Sequence, residues 1–242
     1  MRVFIVHAHP EPKSFNGALT HTAVEALTGA GHEVAVSDLY AMQFNPVSDR
    51  RNFTTVKDPD TYKQQLEELH ATEVGGFAHD LTAEMDKLQW CDALILQFPL
   101  WWFGLPGILK GWVDRVFAMG RTYGRGKWYD DGVFAGKRAM CSVTTGGPAV
   151  MYGPNGLNGD IRQILFPINH GILRFTGFDV LPPFIAYGAA RITEAERKAC
   201  LDRYRETVLG LSRLTPIAYP SLRDYDERFV LKQKLKPQTE IP

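Results

Sequence analysis

Three loops hold the residues able to do chemistry. The first reads His7-Ala8-His9-Pro10-Glu11-Pro12-Lys13-Ser14-Phe15-Asn16 and leads from an apolar run into a helical pattern. It supplies a cation at Lys13, polar groups at Ser14 and Asn16, and the free backbone N–H groups of a helix start. That combination suits a phosphate or pyrophosphate. Ser14 and Asn16 can equally serve as plain helix caps, and His9 as a turn histidine. The second loop, residues 97–106, contains Trp101-Trp102-Phe103 between Pro99 and Pro106. Three adjacent aromatics at a strand end cannot all face the core, because neighbouring side chains point to opposite sides. Some must cover a flat conjugated ligand or a protein surface, with core packing the alternative for Leu100 and Phe103. The third loop, residues 144–160, has five glycines in seventeen positions. The amides of Gly146-Gly147 can approach ring carbonyl oxygens closely, and Tyr152 adds a phenol that no helix or strand period explains. A surface loop with an idle tyrosine is the other reading.

Other chemistries lack their residues. There is no G-x-G-x-x-G, and Gly136-Lys137 is followed by Arg138 with Asp131 where a phosphate-loop glycine should stand. No carboxylate pair, H-E-x-x-H or G-x-S-x-G occurs, and the seven histidines show no ligand spacing, so hydrolysis is unsupported and no metal is expected. A phosphate-binding turn, an aromatic wall and a glycine-rich carbonyl clamp describe instead a redox cofactor that brings its own chemistry, best a flavin.

The elements that must position these loops follow from periodicity. Short aliphatic runs at 3–6, 34–36, 93–97 and 139–144, with a weaker one at 178–181, alternate with helical patterns. This predicts an α/β protein with a parallel sheet covered on both faces, whose ligands bind beyond the carboxyl ends of the strands. Helices are expected at 14–28, ended by Gly29-Ala30-Gly31, at about 80–89, and from near Leu105 with Pro106 in its first turn. The last, 193–213, opens on the capping-box pattern Thr193-Glu194-Ala195-Glu196. Pro167 and Gly171 interrupt the fourth helical region, which is expected to be kinked or split. Residues 45–79 read as a polar surface excursion, and 219–242 as a tail that is disordered or lies across a neighbouring chain.

Composition limits the partners. The 242 residues (27.2 kDa) balance 27 basic against 27 acidic side chains, which excludes a dedicated nucleic-acid surface. No apolar stretch approaches the roughly 20 residues needed to span a bilayer, and no cleavable leader precedes the first strand, so a cytoplasmic protein is expected. Cys91, Cys141 and Cys200, odd in number and far apart, read as buried small hydrophobes.

Together the loops resemble the NAD(P)H:quinone oxidoreductases of the DT-diaphorase type, within the flavodoxin-like folds. The resemblance runs from Val3 to about Leu214. It rests on Ser14-Phe15-Asn16, Ser37-Asp38-Leu39-Tyr40-Ala41-Met42, Gln97-Phe98-Pro99-Leu100, Leu109-Lys110-Gly111-Trp112, Thr144-Thr145-Gly146-Gly147, Met151-Tyr152 and Gly171-Ile172-Leu173. It implies a five-stranded sheet in order 2-1-3-4-5 over residues 1–214, a C-terminal extension at 215–242, bound FAD (FMN as the alternative), and a homodimer with two active sites at its interface. It implies two-electron reduction of quinones by NAD(P)H in a ping-pong cycle. Carried over residue by residue, the cofactor set is His9, Ser14, Phe15, Asn16, Ala18, Pro99, Leu100, Trp102, Phe103, Thr144, Thr145, Gly146, Gly147, Tyr152 and Arg197. The substrate pocket is Trp102, Phe103, Tyr123, Gly146, Gly147 and Phe175, with Arg125 and Arg191 at its rim.

The departures are specific. Asn158 stands where mammalian members have a histidine that handles protons with the tyrosine; Trp101 replaces a glutamine, Arg125 a tyrosine and Arg191 a histidine. A His, His, Cys metal site known in one relative keeps only His170, with Arg174 replacing the second histidine, so again no metal is expected. Gly146, Gly147 and Tyr152 are the expected stabilisers of negative charge on the reduced cofactor, with Asn158 able to orient Tyr152 or a water but not to take up a proton. The alternatives are a single-electron carrier serving protein partners, and an ancillary flavoprotein subunit of a membrane system.

Overall fold

The computed structural model describes residues 1–232. Its strands are β1 (Arg2–His7), β2 (Glu33–Asp38), β3 (Ala93–Pro99), β4 (Arg138–Thr144), β5 (Asp179–Val180) and β6 (Phe184–Ala186). All pairings are parallel, in the order β2-β1-β3-β4-β5, with β6 also on β4. This is the expected flavodoxin-like order. β5 and β6 are one edge strand broken by Leu181-Pro182-Pro183, which the sequence reading caught only in its first half. Ala139 pairs with Val180 but Ser142 with Phe184, so the register slips by one residue across the prolines. Proline has no N–H to give the ladder, and an edge tolerates that.

Alternation in β1 sorts the core onto two faces. Val3 and Ile5 pack with Leu19, Ala23 and Leu27 of α1 (Phe15–Gly29) and with Tyr204 and Val208 of α7 (Glu194–Leu209). Phe4 and Val6 pack with Leu81, Met85 and Leu88 of α3 (His79–Trp90) and with Leu109 and Trp112 of α4 (Gly107–Val116). Each such side chain, fully buried, contributes about 1.5–3 kcal/mol. The helix starts are the expected ones: Ser14 Oγ accepts from Gly17 N at 3.1 Å, and Thr193 and Glu196 form the reciprocal capping box. The segment with Pro167 and Gly171 is split into α5 (Ile161–Ile164), α6 (Phe166–Ile168) and a π-helical Asn169–Arg174. All three cysteines are buried, and burial pushes the Cys91 and Cys141 thiols up to about 11 and about 12.

Two expectations are corrected. Residues 45–79 are no mere excursion: they hold α2 (Gln64–Val74), whose Glu67 and Glu68 are buried. Their carboxylates are spent on backbone, Glu67 accepting from Lys57 N (2.7 Å) and Asp58 N (3.0 Å), and Glu68 from Met119 N (2.6 Å). The tail, as far as residue 232, is ordered and returns to its own chain. Asp130 accepts from Leu222 N (2.6 Å) and Ser221 Oγ (3.1 Å) and pairs with Arg174. The remainder of the expected tail, 233–242, lies outside the described residues.

Two histidines give the fold a pH dependence. Burial lowers the pKa of both His7, opposed by Asp38, and His170, where the nearby Arg174 acts in the same direction. The folded state therefore holds them neutral, and this stability is complete above the ordinary value of 6.5 and lost as pH falls through it toward the depressed folded value. The unfolding midpoint should fall between about pH 7.5 and about pH 5.5. His170→Phe, which keeps a ring against Phe166 (4.7 Å, 8°), should shrink that fall. A fall of the same size in the variant removes His170 from the account.

Candidate functional site

The strand order reverses at β1 and β3, and there a cleft of ≈ 480 Å³ opens beyond the carboxyl ends of the strands. Its walls come from all three chemically distinctive loops: His9, Lys13, Ser14, Phe15 and Asn16 after β1; Pro99, Leu100 and Trp101 after β3; Thr144, Thr145 and Gly146 after β4. Ala189, Ala190 and Arg197 close the remaining side. Ten of the fifteen expected cofactor residues line it. Ala18, Trp102, Phe103, Gly147 and Tyr152 do not.

The electrostatics are one-sided. Among the described residues, the lining holds two cations, Lys13 and Arg197, and no carboxylate. The amides of Phe15 and Asn16, in the first turn of α1, find no acceptor among the described residues. A helix start with free N–H groups and two nearby cations is a seat for a phosphorylated group.

A buried polar chain supports the cleft from below. Gln97 Nε2 donates to Asn16 Oδ1 (2.9 Å), and Asn16 Nδ2 donates to Thr144 Oγ1 (2.9 Å). The Tyr204 hydroxyl lies 3.5 Å from Gln97 Oε1. Asn16 is thus more than a cap: it fixes Thr144 as an acceptor, which leaves the Thr144 hydroxyl proton free for another partner. Sequence reasoning missed Gln97 and Tyr204 as site residues. Gln97 had left a trace as the one polar residue in the apolar run 93–98.

The aromatic loop is held by strain. Gly104 N donates to Trp101 O (3.0 Å), closing a turn whose central residues, Trp102 and Phe103, have φ of 50° and 57°. Left-handed backbone at two bulky residues costs of order 1–3 kcal/mol each. The result is that Trp102 projects with 97% of its surface exposed, and Phe103 is also exposed.

Beside the cleft, Gly147, Met151, Tyr152 and Asn158 come together. A Cβ built on Gly147 would meet Met151 Sδ at 3.0 Å, Tyr152 Cε2 at 3.3 Å and Asn158 Nδ2 at 3.7 Å. The Tyr152 ring packs on Tyr187 (5.8 Å between centroids). Neither its hydroxyl nor the Gly146 and Gly147 amides have hydrogen-bond partners among the described residues. Thr145 locks the loop, its hydroxyl donating to Gly147 O (2.8 Å) and its carbonyl accepting from Ala189 N (3.1 Å).

The expected substrate residues are not gathered in one place. Arg191 is exposed, next to Ala190 at the cleft edge, with its amide on Gly188 O (2.7 Å). Tyr123, Arg125 and Phe175 belong elsewhere. Tyr123 OH accepts from Gln65 Nε2 (3.2 Å), burial raises its pKa, and its ring packs on Phe175 (5.6 Å). Arg125 is paired with Glu73 at 2.5 Å. Phe175 lines a second cavity of ≈ 350 Å³ with Trp128, Tyr129, His170 and, from the tail, Pro220, Leu222, Tyr225 and Phe229.

A family profile described as "Flavodoxin-like fold" matches residues 1–208. The human ribosyldihydronicotinamide dehydrogenase [quinone] is 42% identical over 217 residues, 89% of this chain and 94% of its own length. The rat NAD(P)H dehydrogenase [quinone] 1 is 40% identical over 242 residues, 98% of this chain and 88% of its own. A solved chain from Klebsiella pneumoniae, described as a candidate quinone reductase, is 40% identical and superposes with a TM-score of 0.94 over 100% of this chain and 98% of that one. The chain therefore belongs to the family of flavodoxin-like fold that these quinone dehydrogenases share.

Proposed function

We propose that the protein is a cytoplasmic NAD(P)H:quinone oxidoreductase that holds FAD in the cleft and works as a homodimer. The observation that carries this is the cleft itself, at the sheet's switch point, with a helix start, two cations, free loop amides and, among the described residues, no carboxylate. Those residues fit a phosphorylated flavin: Ser14, Phe15, Asn16, Lys13 and Arg197 for the phosphate end, Pro99, Leu100, Thr144, Thr145 and Gly146 for the ring end. When bound, the flavin supplies two-electron hydride exchange. Gly146, Gly147 and Tyr152 offer the negative charge of its reduced state three donors that need not break a bond inside the protein. Asn158 N donates to Met151 O (2.9 Å), which ties it to the Tyr152 side of the loop.

The homodimer is supported by what one chain leaves unfinished. Trp102 and Phe103 are presented to solvent at the cost of strain, while Tyr123 and Phe175 form a separate aromatic wall. A second copy bringing that wall against the exposed turn completes a closed aromatic pocket. Donor and quinone occupying that pocket in turn makes the kinetics ping-pong.

The test is to identify the flavin released on denaturation and to assay the intact protein with menadione and NADH, NADPH or dihydronicotinamide riboside. Parallel double-reciprocal lines are expected; intersecting lines count against the shared pocket, and a chain that can be loaded with no flavin ends the reading. Tyr152→Phe should slow bleaching of the bound flavin by NAD(P)H about tenfold or more, since a hydrogen bond to a charged group contributes about 1.5–3 kcal/mol. An unchanged bleaching rate in stopped flow removes Tyr152 from the mechanism.

A further inference from the structure

The flavin reading leaves part of the cleft unused. A flavin ring needs the flat wall after β3 and the amides after β4, and one phosphate needs the α1 helix start. Left over are two rings, His9 and Trp101, which line the same cleft beside Lys13 and Arg197, the two cations of its phosphate end. The His9 ring and the Trp101 backbone are held in place. His9 Nδ1 lies 3.1 Å from Glu11 N and 3.2 Å from Glu11 O, so either tautomer ties it to its own loop. Trp101 is anchored at the base of the strained turn, its ring 6.0 Å from that of His9 and tilted by 54°. It is 40% exposed, so one part of its surface is free to accept a ring.

Resting on the flavin reading, we propose that Trp101, backed by His9, is the stacking surface for the nucleobase of a dinucleotide flavin, and that this residue makes the chain select FAD over FMN. Two further features agree. A pyrophosphate spreads its charge over two groups and matches two cations better than a single phosphate does. An indole face accepts any planar base, and a base stacked on an aromatic side chain gains enough to hold the ligand several-fold to a hundredfold more tightly. FMN carries no such base, so it gains nothing from Trp101.

The experiment is titration of the full chain, stripped of flavin, with FAD and with FMN, followed by quenching of flavin fluorescence. Wild type, Trp101→Ala and Trp101→Phe are compared. Trp101→Ala should weaken FAD about tenfold or more while FMN affinity stays within about twofold, and Trp101→Phe should restore most of the FAD affinity. Retained FMN binding shows that the variant is folded. Equal losses for both flavins, or none for FAD, overturn the assignment while leaving the flavin reading standing. A raised KM for NADH with both flavin affinities intact also overturns it, because the surface then serves the donor's base. Wild type binding neither flavin overturns the flavin reading and this inference with it.

Discussion

Glu84→Ala is expected to lower the stability of the fold by about 3–5 kcal/mol, the cost of breaking a buried charged network from one side. The Glu84 carboxylate, on α3, is fully buried and joins three elements. It accepts from Ser37 Oγ of β2 (3.0 Å), from Lys87 Nζ (2.6 Å) and from Trp112 Nε1 of α4 (2.8 Å). Truncation strands two donors that are themselves fully buried, the Ser37 hydroxyl and the Trp112 indole N–H, each costing about 1–3 kcal/mol when unpaired. Lys87 adds less, since a third of its side chain is exposed and the ammonium can turn to water. Against a total stability of about 5–15 kcal/mol the loss is severe. Urea unfolding measures it as a lower midpoint at unchanged slope. Glu84→Gln, which keeps the shape and one acceptor oxygen, should lose clearly less. A loss below about 1 kcal/mol for Glu84→Ala means that the network is incidental.

The same residue shows why part of the fold was legible in the sequence and part was not. Signals that act within a few residues could be read directly: the Ser14 cap, the Thr193–Glu196 box, and β-branched runs long enough to bury on both faces. Polar residues that are buried because a distant amide needs an acceptor could not. Glu67 and Glu68 look like a solvated helix face until Lys57, Asp58 and Met119 are brought to them. The edge strand was half hidden for the opposite reason, since Pro182-Pro183 reads as an end although the chain resumes pairing one residue out of register. The cleft was legible because its three loops each follow a strand and carry their chemistry locally. Ala189 and Ala190 enter it, and Gln97 and Tyr204 brace it from below, only through tertiary contact. Tyr123, Arg125 and Phe175 came from resemblance, and in a single chain they stand apart from the cleft.

Gly17→Ala is expected to leave the protein folded, at a loss of at most about 2 kcal/mol, while weakening flavin binding about tenfold or more. A Cβ on Gly17 would lie 2.1 Å from Pro12 O and 3.0 Å from Pro12 C. These are backbone atoms, so no rotamer change relieves the clash, and one of the two segments must move by roughly 1 Å. α1 cannot yield, because Leu19, Ala23 and Leu27 fix it to the sheet, whereas Pro12 is exposed on its loop. The loop therefore shifts, and with it His9, Lys13 and the Ser14 cap. For stability, two effects partly offset: overpacking costs about 1–3 kcal/mol, and alanine in a helix gains up to about 1 kcal/mol over glycine, which leaves a net loss of at most about 2 kcal/mol. For binding nothing offsets, because a phosphate seat displaced by roughly 1 Å loses its aligned donors together. Flavin retention through dialysis and fluorescence titration report the affinity, and thermal unfolding the fold. Gly29→Ala, in the same helix with nothing within 4 Å of the added carbon, is the control and should leave binding unchanged. Equal flavin affinity in Gly17→Ala and wild type would show that the loop after β1 does not hold the cofactor.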